Sequence, residues 1–143
     1  MKSIKGSILD VKNGYICNVV NCKGLMGGGF SKELRERFPK VYNEYLEKVE
    51  NRNKSLSGEI QFVYEDDGKI FVNMFSLDDC GCVGQFISKE AFEKCLIKLK
   101  KEVKENEDVY FPYGIGCEIG GGNWDTISSI IEKHFDKALV LHP

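Results

Sequence analysis

Two short glycine-rich segments carry the residues best suited to chemistry in this sequence. Gly27, Gly28 and Gly29 form the first, and Gly114, Gly116, Gly120, Gly121 and Gly122 form the second. Together they hold more than half of the chain's 15 glycines. A glycine lacks a Cβ, so its backbone adopts positive φ and approaches a ligand closely. Successive free N–H groups at a helix start make an anion site, helped by the helix dipole. Two such loops beside one crevice could grip a diphosphate from two sides. Neither is a common nucleotide motif: no Gly-Lys-Ser/Thr follows, and GxGxxG is absent.

Each loop falls between a segment of strand character and one of helix character. Tyr15–Val20 (YICNVV) is aromatic and β-branched, bounded by Asn13-Gly14 and Asn21, and reads as a buried strand before the first loop. After that loop, Ser31–Phe38 has helical spacing at Leu34 and Phe38. Pro39 breaks it and restarts a second helix with a stripe of Val41, Tyr42, Tyr45, Leu46 and Val49. Val109–Pro112 is a short strand before the second loop. The last helix follows, capped by Asn123 or Asp125, with Ile127, Ile130, Ile131 and Phe135 inside.

The remaining segments complete an alternating pattern. Residues 2–5 and 138–141 read as strands. Glu59–Tyr64 and Lys69–Phe75 flank Asp66-Asp67-Gly68, a hairpin signal. Ser88 is placed to cap a helix whose inner face is Phe92, Cys95, Leu96, Leu99 and Val103. The order β-β-αα-β-β-α-β-α-β predicts a three-layer α/β/α sandwich around a mixed six-stranded sheet. Ligands of such folds sit beyond the carboxyl ends of the strands.

Composition narrows the function. A chain of 143 residues is one domain's worth and needs no disulfide or metal to build a core. Its net charge of −2 gives no drive toward a nucleic-acid backbone. The lysine run from Lys98 to Lys104 is broken by Glu102 and reads as a solvated helix face. The start, MKSIKGSILD, has no apolar core of a signal peptide, and no apolar run is long enough to span a bilayer. A cytoplasmic location with no membrane contact is therefore expected, with the cysteines reduced. Cys17, Cys22, Cys80, Cys82, Cys95 and Cys117 include no CxxC pair, and there are only two histidines, so no metal or other cofactor is expected. His134 and His142 read as surface residues, Trp124 as an anchor of the last helix, and Cys117 as a small packed residue.

The loops also resemble a known family. Asn18-Val19-Val20-Asn21-Cys22, then Met26-Gly27-Gly28-Gly29 and Phe38-Pro39-x-x-Tyr42, is similar to the first loop of macro domains. Pro112-Tyr113-Gly114-Ile115-Gly116-Cys117, then Gly120-Gly121-Gly122-x-Trp124, is similar to their second phosphate loop. Its form resembles the branch of terminal ADP-ribose protein glycohydrolase and the yeast-type ADP-ribose-1''-phosphate phosphatases. The resemblance implies an ADP-ribose pocket. Ser7 and Ile8 would lie at its adenine end. Asn21 would hold the distal ribose, with Met26, Gly27, Gly28 and Gly29 along it and the phosphates. Gly114, Ile115, Gly116, Cys117, Glu118, Ile119 and Gly120 would wrap the diphosphate.

Three positions depart from the family pattern. Gly6-Ser7-Ile8 replaces Gly-Asp-Ile, so the usual aspartate is not there to read adenine. Phe75-Ser76-Leu77 lacks the lysine of the glycohydrolase branch, and Gly120 stands where that branch has an aspartate. Catalysis would then rest on positioning a water, oriented by Asn21, with Asp78 or Asp79 as general base. The resemblance implies a hydrolase acting on ADP-ribose-1''-phosphate. Removal of ADP-ribosyl esters from protein or nucleic-acid ends, and ADP-ribose binding without turnover, are the alternatives. A monomer is expected.

Overall fold

The computed structural model of the chain describes residues 1–26, 29–77, 87–117 and 122–143. Strands β1 (Lys2–Lys5), β2 (Gly14–Val20), β3 (Ile60–Tyr64), β4 (Lys69–Phe75), β5 (Val109–Pro112) and β6 (Leu139–His142) form one sheet in the order β1-β6-β5-β2-β4-β3. Every neighbouring pair is parallel except the β3–β4 hairpin. That hairpin turns at Gly68, whose φ of +98° suits a residue without a Cβ. The mixed six-stranded sheet between helices is the architecture that the alternating pattern predicts.

Alternation along β2 and β4 divides the core. Tyr15, Cys17, Val19, Val72 and Met74 point to one face. There they meet Phe92, Cys95, Leu96 and Leu99 of α3 (Lys89–Glu102) and Ile127 and Ile131 of α4 (Trp124–His134). Ile16, Val20, Phe71 and Phe75 point to the other. They pack on Leu34 of α1 (Gly29–Arg37) and on Val41, Tyr45 and Val49 of α2 (Pro39–Glu50). Pro39 at the first turn of α2 separates the two helices, because its ring is tolerated there and not inside α1. Ser88 caps α3, and Asn123 rather than Asp125 caps α4 by accepting the Thr126 N–H. A 3-10 turn at Ile8–Asp10 is an addition that periodicity does not reveal.

Two features of this frame are polar. Asn18, Asn73 and Gln61 stand level with one another across β2, β4 and β3. Ser31 Oγ donates to Asn18 Oδ1 (3.4 Å), Asn18 Nδ2 to Asn73 Oδ1 (3.5 Å), Asn73 Nδ2 to Gln61 Oε1 (3.0 Å), and Gln61 Nε2 to the Glu44 carbonyl (2.9 Å). Amides buried among apolar neighbours require such partners. At the other end of β4, Lys69 is only 4% exposed. Its ammonium donates to the Leu9 (3.3 Å) and Val11 (3.2 Å) carbonyls, pairs with Asp67 (3.0 Å) and lies 4.3 Å from the centre of the Phe38 ring.

The buried thiols are inert by position. Burial pushes the Cys17 thiol well up, and it pushes the Cys95 thiol up to about 12. Since the thiolate is the nucleophile, a maleimide at mildly alkaline pH is expected to leave Cys17 and Cys95 unmodified in the folded protein. Both should label after denaturation. Residue-resolved mass spectrometry checks this, and modification of either in the folded state would contradict the packing.

Candidate functional site

Five strands run parallel, so their carboxyl ends share one edge of the sheet. Ser7 and Ile8 follow β1, residues 21–26 follow β2, Ser76 and Leu77 follow β4, and residues 113–117 follow β5. The fold thus brings Ser7, Ile8, Asn21, Met26, Gly29, Gly114, Ile115, Gly116 and Cys117 to one edge. Gly27, Gly28, Asp78, Asp79, Glu118, Ile119 and Gly120 lie outside the described residues.

The first loop is organised around Asn21, which is 1% exposed. Its Oδ1 accepts the N–H groups of Lys23 (2.8 Å) and Leu25 (3.3 Å), and its Nδ2 donates to the Leu25 carbonyl (2.9 Å). The Tyr45 hydroxyl, from α2, lies 2.7 Å from Asn21 Oδ1 and 2.8 Å from its carbonyl oxygen. Arg52, just beyond α2, donates to the Cys22 carbonyl (2.7 Å). The loop then enters α1 at Gly29, and the first turn of that helix carries no acidic side chain. Its N-terminal dipole is therefore not neutralised by a carboxylate there.

The second loop is a pair of tight turns. Ile115 N–H donates to the Pro112 carbonyl (3.1 Å) and Cys117 N–H to the Gly114 carbonyl (2.8 Å). Gly114 and Gly116 both adopt φ of +74°. Among the described residues their own N–H groups meet no protein acceptor. Ile87 packs so closely that a Cβ on Gly116 would lie 2.5 Å from its Cδ1. Ile87 in turn bridges Leu77, whose N–H donates to the Val20 carbonyl (3.2 Å), so the second loop is tied back to the end of β2.

Charge is scarce in these segments. Among the described residues of the two loops and of Ser7–Ile8, none is a carboxylate or an imidazole. Burial raises the Cys117 thiol above its ordinary value, and its Sγ lies 3.5 Å from the Ile115 carbonyl. It is a protonated, packed group. Among the described residues no His, Cys, Asp and Glu cluster could hold a metal ion. Among the described residues no helix is long and apolar enough to cross a membrane.

The aromatic and histidine residues sort by contact. Tyr113, half exposed, stacks on His142 (centroids 4.2 Å) and packs against Trp124 (4.8 Å). Trp124 also joins the α3–α4 core, which fits an anchor. His134 is half-buried rather than a free surface residue, because its Nε2 pairs with Glu93 of α3 at 2.9 Å. That pair lies at the far end of α4 from the loops. Tyr45, Arg52 and Ile87 are the residues that sequence reasoning missed. The available signal was the hydroxyls of Tyr42 and Tyr45 on an otherwise apolar helical stripe.

This sheet order with glycine turns on its carboxyl edge is the macrodomain fold. Three solved structures carry it over 99% of this chain. The macrodomain of Mycobacterium tuberculosis DarG matches with a TM-score of 0.83 at 21% identity, over 97% of its own length. A Streptomyces coelicolor macrodomain protein matches at 0.79 and 20%, also over 97%. Thermosipho africanus DarTG, solved in complex with ADP-ribose, matches at 0.81 and 16% over 42% of its chain. No family model matches the sequence. The chain is 30% identical to the uncharacterized 17.5 kDa protein of the tk-vs intergenic region of Enterobacteria phage T4, over 99% of this chain and 94% of that one. It belongs to that protein's family.

Proposed function

We propose that this protein binds ADP-ribose across the carboxyl edge of its sheet and hydrolyses ADP-ribose-1''-phosphate, releasing phosphate. The observation that carries the reading is the second loop. Gly114 and Gly116 hold backbone N–H groups without a described protein acceptor, on the same edge as the acid-free start of α1. Such donors suit a diphosphate, and the Thermosipho neighbour with the same fold was solved in complex with ADP-ribose. On this reading Ser7 and Ile8 border the adenine, Asn21 shapes the ribose end, and Met26 with Gly27, Gly28 and Gly29 lines the ribose and phosphates. Gly114–Cys117, continuing through Glu118, Ile119 and Gly120, cradles the diphosphate. A water attacks phosphorus, Asp78 or Asp79 takes its proton, the bond from phosphorus to the ribose oxygen breaks, that proton passes to the departing oxygen, and backbone N–H groups stabilise the developing charge.

A second reading, an ADP-ribose-binding module without turnover, is favoured by the missing lysine at Phe75-Ser76-Leu77 and the glycine at Gly120 where the glycohydrolase branch has an aspartate. Calorimetric titration of ADP-ribose, followed by parallel assays on ADP-ribose-1''-phosphate and an ADP-ribosyl ester, separates the cases. Phosphate release supports the phosphatase; release from the ester alone assigns the esterase; tight binding with no product selects the module. Gly28→Glu is expected to weaken ADP-ribose binding by at least roughly 100-fold, since like charges brought together cost several kcal/mol. Unchanged affinity in that variant would sink the pocket assignment.

A further inference from the structure

We propose that the Tyr45 hydroxyl is a positioning group for the ligand site, acting through Asn21 to set the shape of the first loop. This deepens the ADP-ribose reading and rests on it. The Tyr45 ring is fully buried in the α1–α2 face of the core, 5.9 Å from the Phe75 ring and 6.4 Å from that of Tyr42. A phenylalanine would fill the same space, so packing does not require the hydroxyl. What the hydroxyl does is polar. It contacts both oxygens of Asn21 and accepts the Gly24 N–H at 3.1 Å.

Asn21 is committed to the same network. Two backbone N–H groups, of Lys23 and Leu25, converge on its Oδ1, which fixes that atom as the oxygen of the carboxamide. These bonds link residues 21–25 to one another, with one member supplied by α2. Two further contacts hold the loop to α2 and the turn that follows it. Arg52 binds the Cys22 carbonyl, and at Gly24, where φ is +82°, a Cβ would lie 3.0 Å from Leu46 Cδ1. The far end of the segment is Met26, also buried, three residues before α1 begins. The position of α2 thereby fixes the chain that leads into Gly27, Gly28 and Gly29. The Asn21 oxygen serves the loop, and its effect on a ligand passes through the loop's shape.

The test compares Tyr45→Phe, Asn21→Ala and the double variant. ADP-ribose affinity is measured by calorimetry well below the melting temperature, and amide exchange is followed at Lys23, Gly24 and Leu25. Tyr45→Phe is expected to weaken binding roughly 5–30-fold, the size of one or two lost buried hydrogen bonds. The three loop amides should lose protection while β2 and β4 keep theirs. The double variant should bind no worse than Asn21→Ala, because the two residues act as one unit. Wild-type affinity in Tyr45→Phe, with or without faster exchange, overturns the role, as do fully additive losses. Should Asn21→Ala fail to fold, Tyr45→Phe decides alone. A wild-type chain that does not bind ADP-ribose overturns the ligand reading and this role with it, and that failure is seen before any variant is made.

Discussion

Gly116→Ala is expected to cost about 1.5–3 kcal/mol of stability, against about 1–2 kcal/mol for Gly114→Ala. The two glycines make a matched pair. Both sit at φ of +74°, where any L side chain is strained. A Cβ on Gly114 meets nothing within 4 Å, whereas one on Gly116 would lie 2.5 Å from Ile87 Cδ1. Gly114→Ala therefore isolates the backbone cost, and the difference between the variants reads the contact with Ile87. Chemical denaturation of both proteins checks it; equal losses would contradict that contact. The clash also has a functional side. Relief of it turns the Ile87 side chain or moves the loop, so Gly116→Ala should weaken ADP-ribose binding more than Gly114→Ala does.

Lys69→Met should be the other costly single change, at about 2–4 kcal/mol. Methionine keeps most of the side-chain volume and removes every donor. The Leu9 and Val11 carbonyls then lose the ammonium that bonds them both. For a chain of this size the loss corresponds to a melting temperature lower by roughly 8–15 °C. Calorimetry measures it, and an unchanged melting temperature would refute the anchoring role. A second signature is acid-side. The hydrogen bond from Lys69 holds the Asp67 carboxyl below its ordinary value. A carboxyl depressed in the folded state stabilises above its unfolded value and loses that effect as pH falls through the folded one. In Lys69→Met the Asp67 carboxyl should return to the usual range by NMR titration. The decline of stability with acid should become shallower.

The fold was legible in the sequence because most of its boundaries are written in residues with one physical use. Pro39 ends one helix and starts the next, Ser88 and Asn123 cap, and Gly68 turns the hairpin. The loops were legible as loops, since glycine clusters between strand and helix have few other uses. How they are held was not. Tyr45 counts as an apolar stripe residue in any periodicity argument, and nothing local shows that its hydroxyl meets Asn21 across 24 positions of sequence. Ile87 reads as an ordinary hydrophobe, and only the fold reveals that it closes on Gly116. The 3-10 turn at Ile8–Asp10 is likewise bonded by a distant lysine on β4, whose charge gives no hint of burial. Long-range polar contacts of this kind leave no periodic trace.

The row of amides through Asn18, Asn73 and Gln61 has a consequence for how the chain finds its structure. β2 and β4 join far-separated segments, and parallel pairings of that sort form late and are exposed to misalignment on the way. Shifting β4 by one residue against β2 would set Asn18 opposite a hydrophobe and break its bond to Asn73, leaving two buried carboxamides each one partner short. Apolar strands alone discriminate weakly between neighbouring alignments, because Val, Ile and Phe pack acceptably in several. A single polar level makes the wrong ones costly. The row thus favours the native register over its neighbours more sharply than hydrophobic burial alone would.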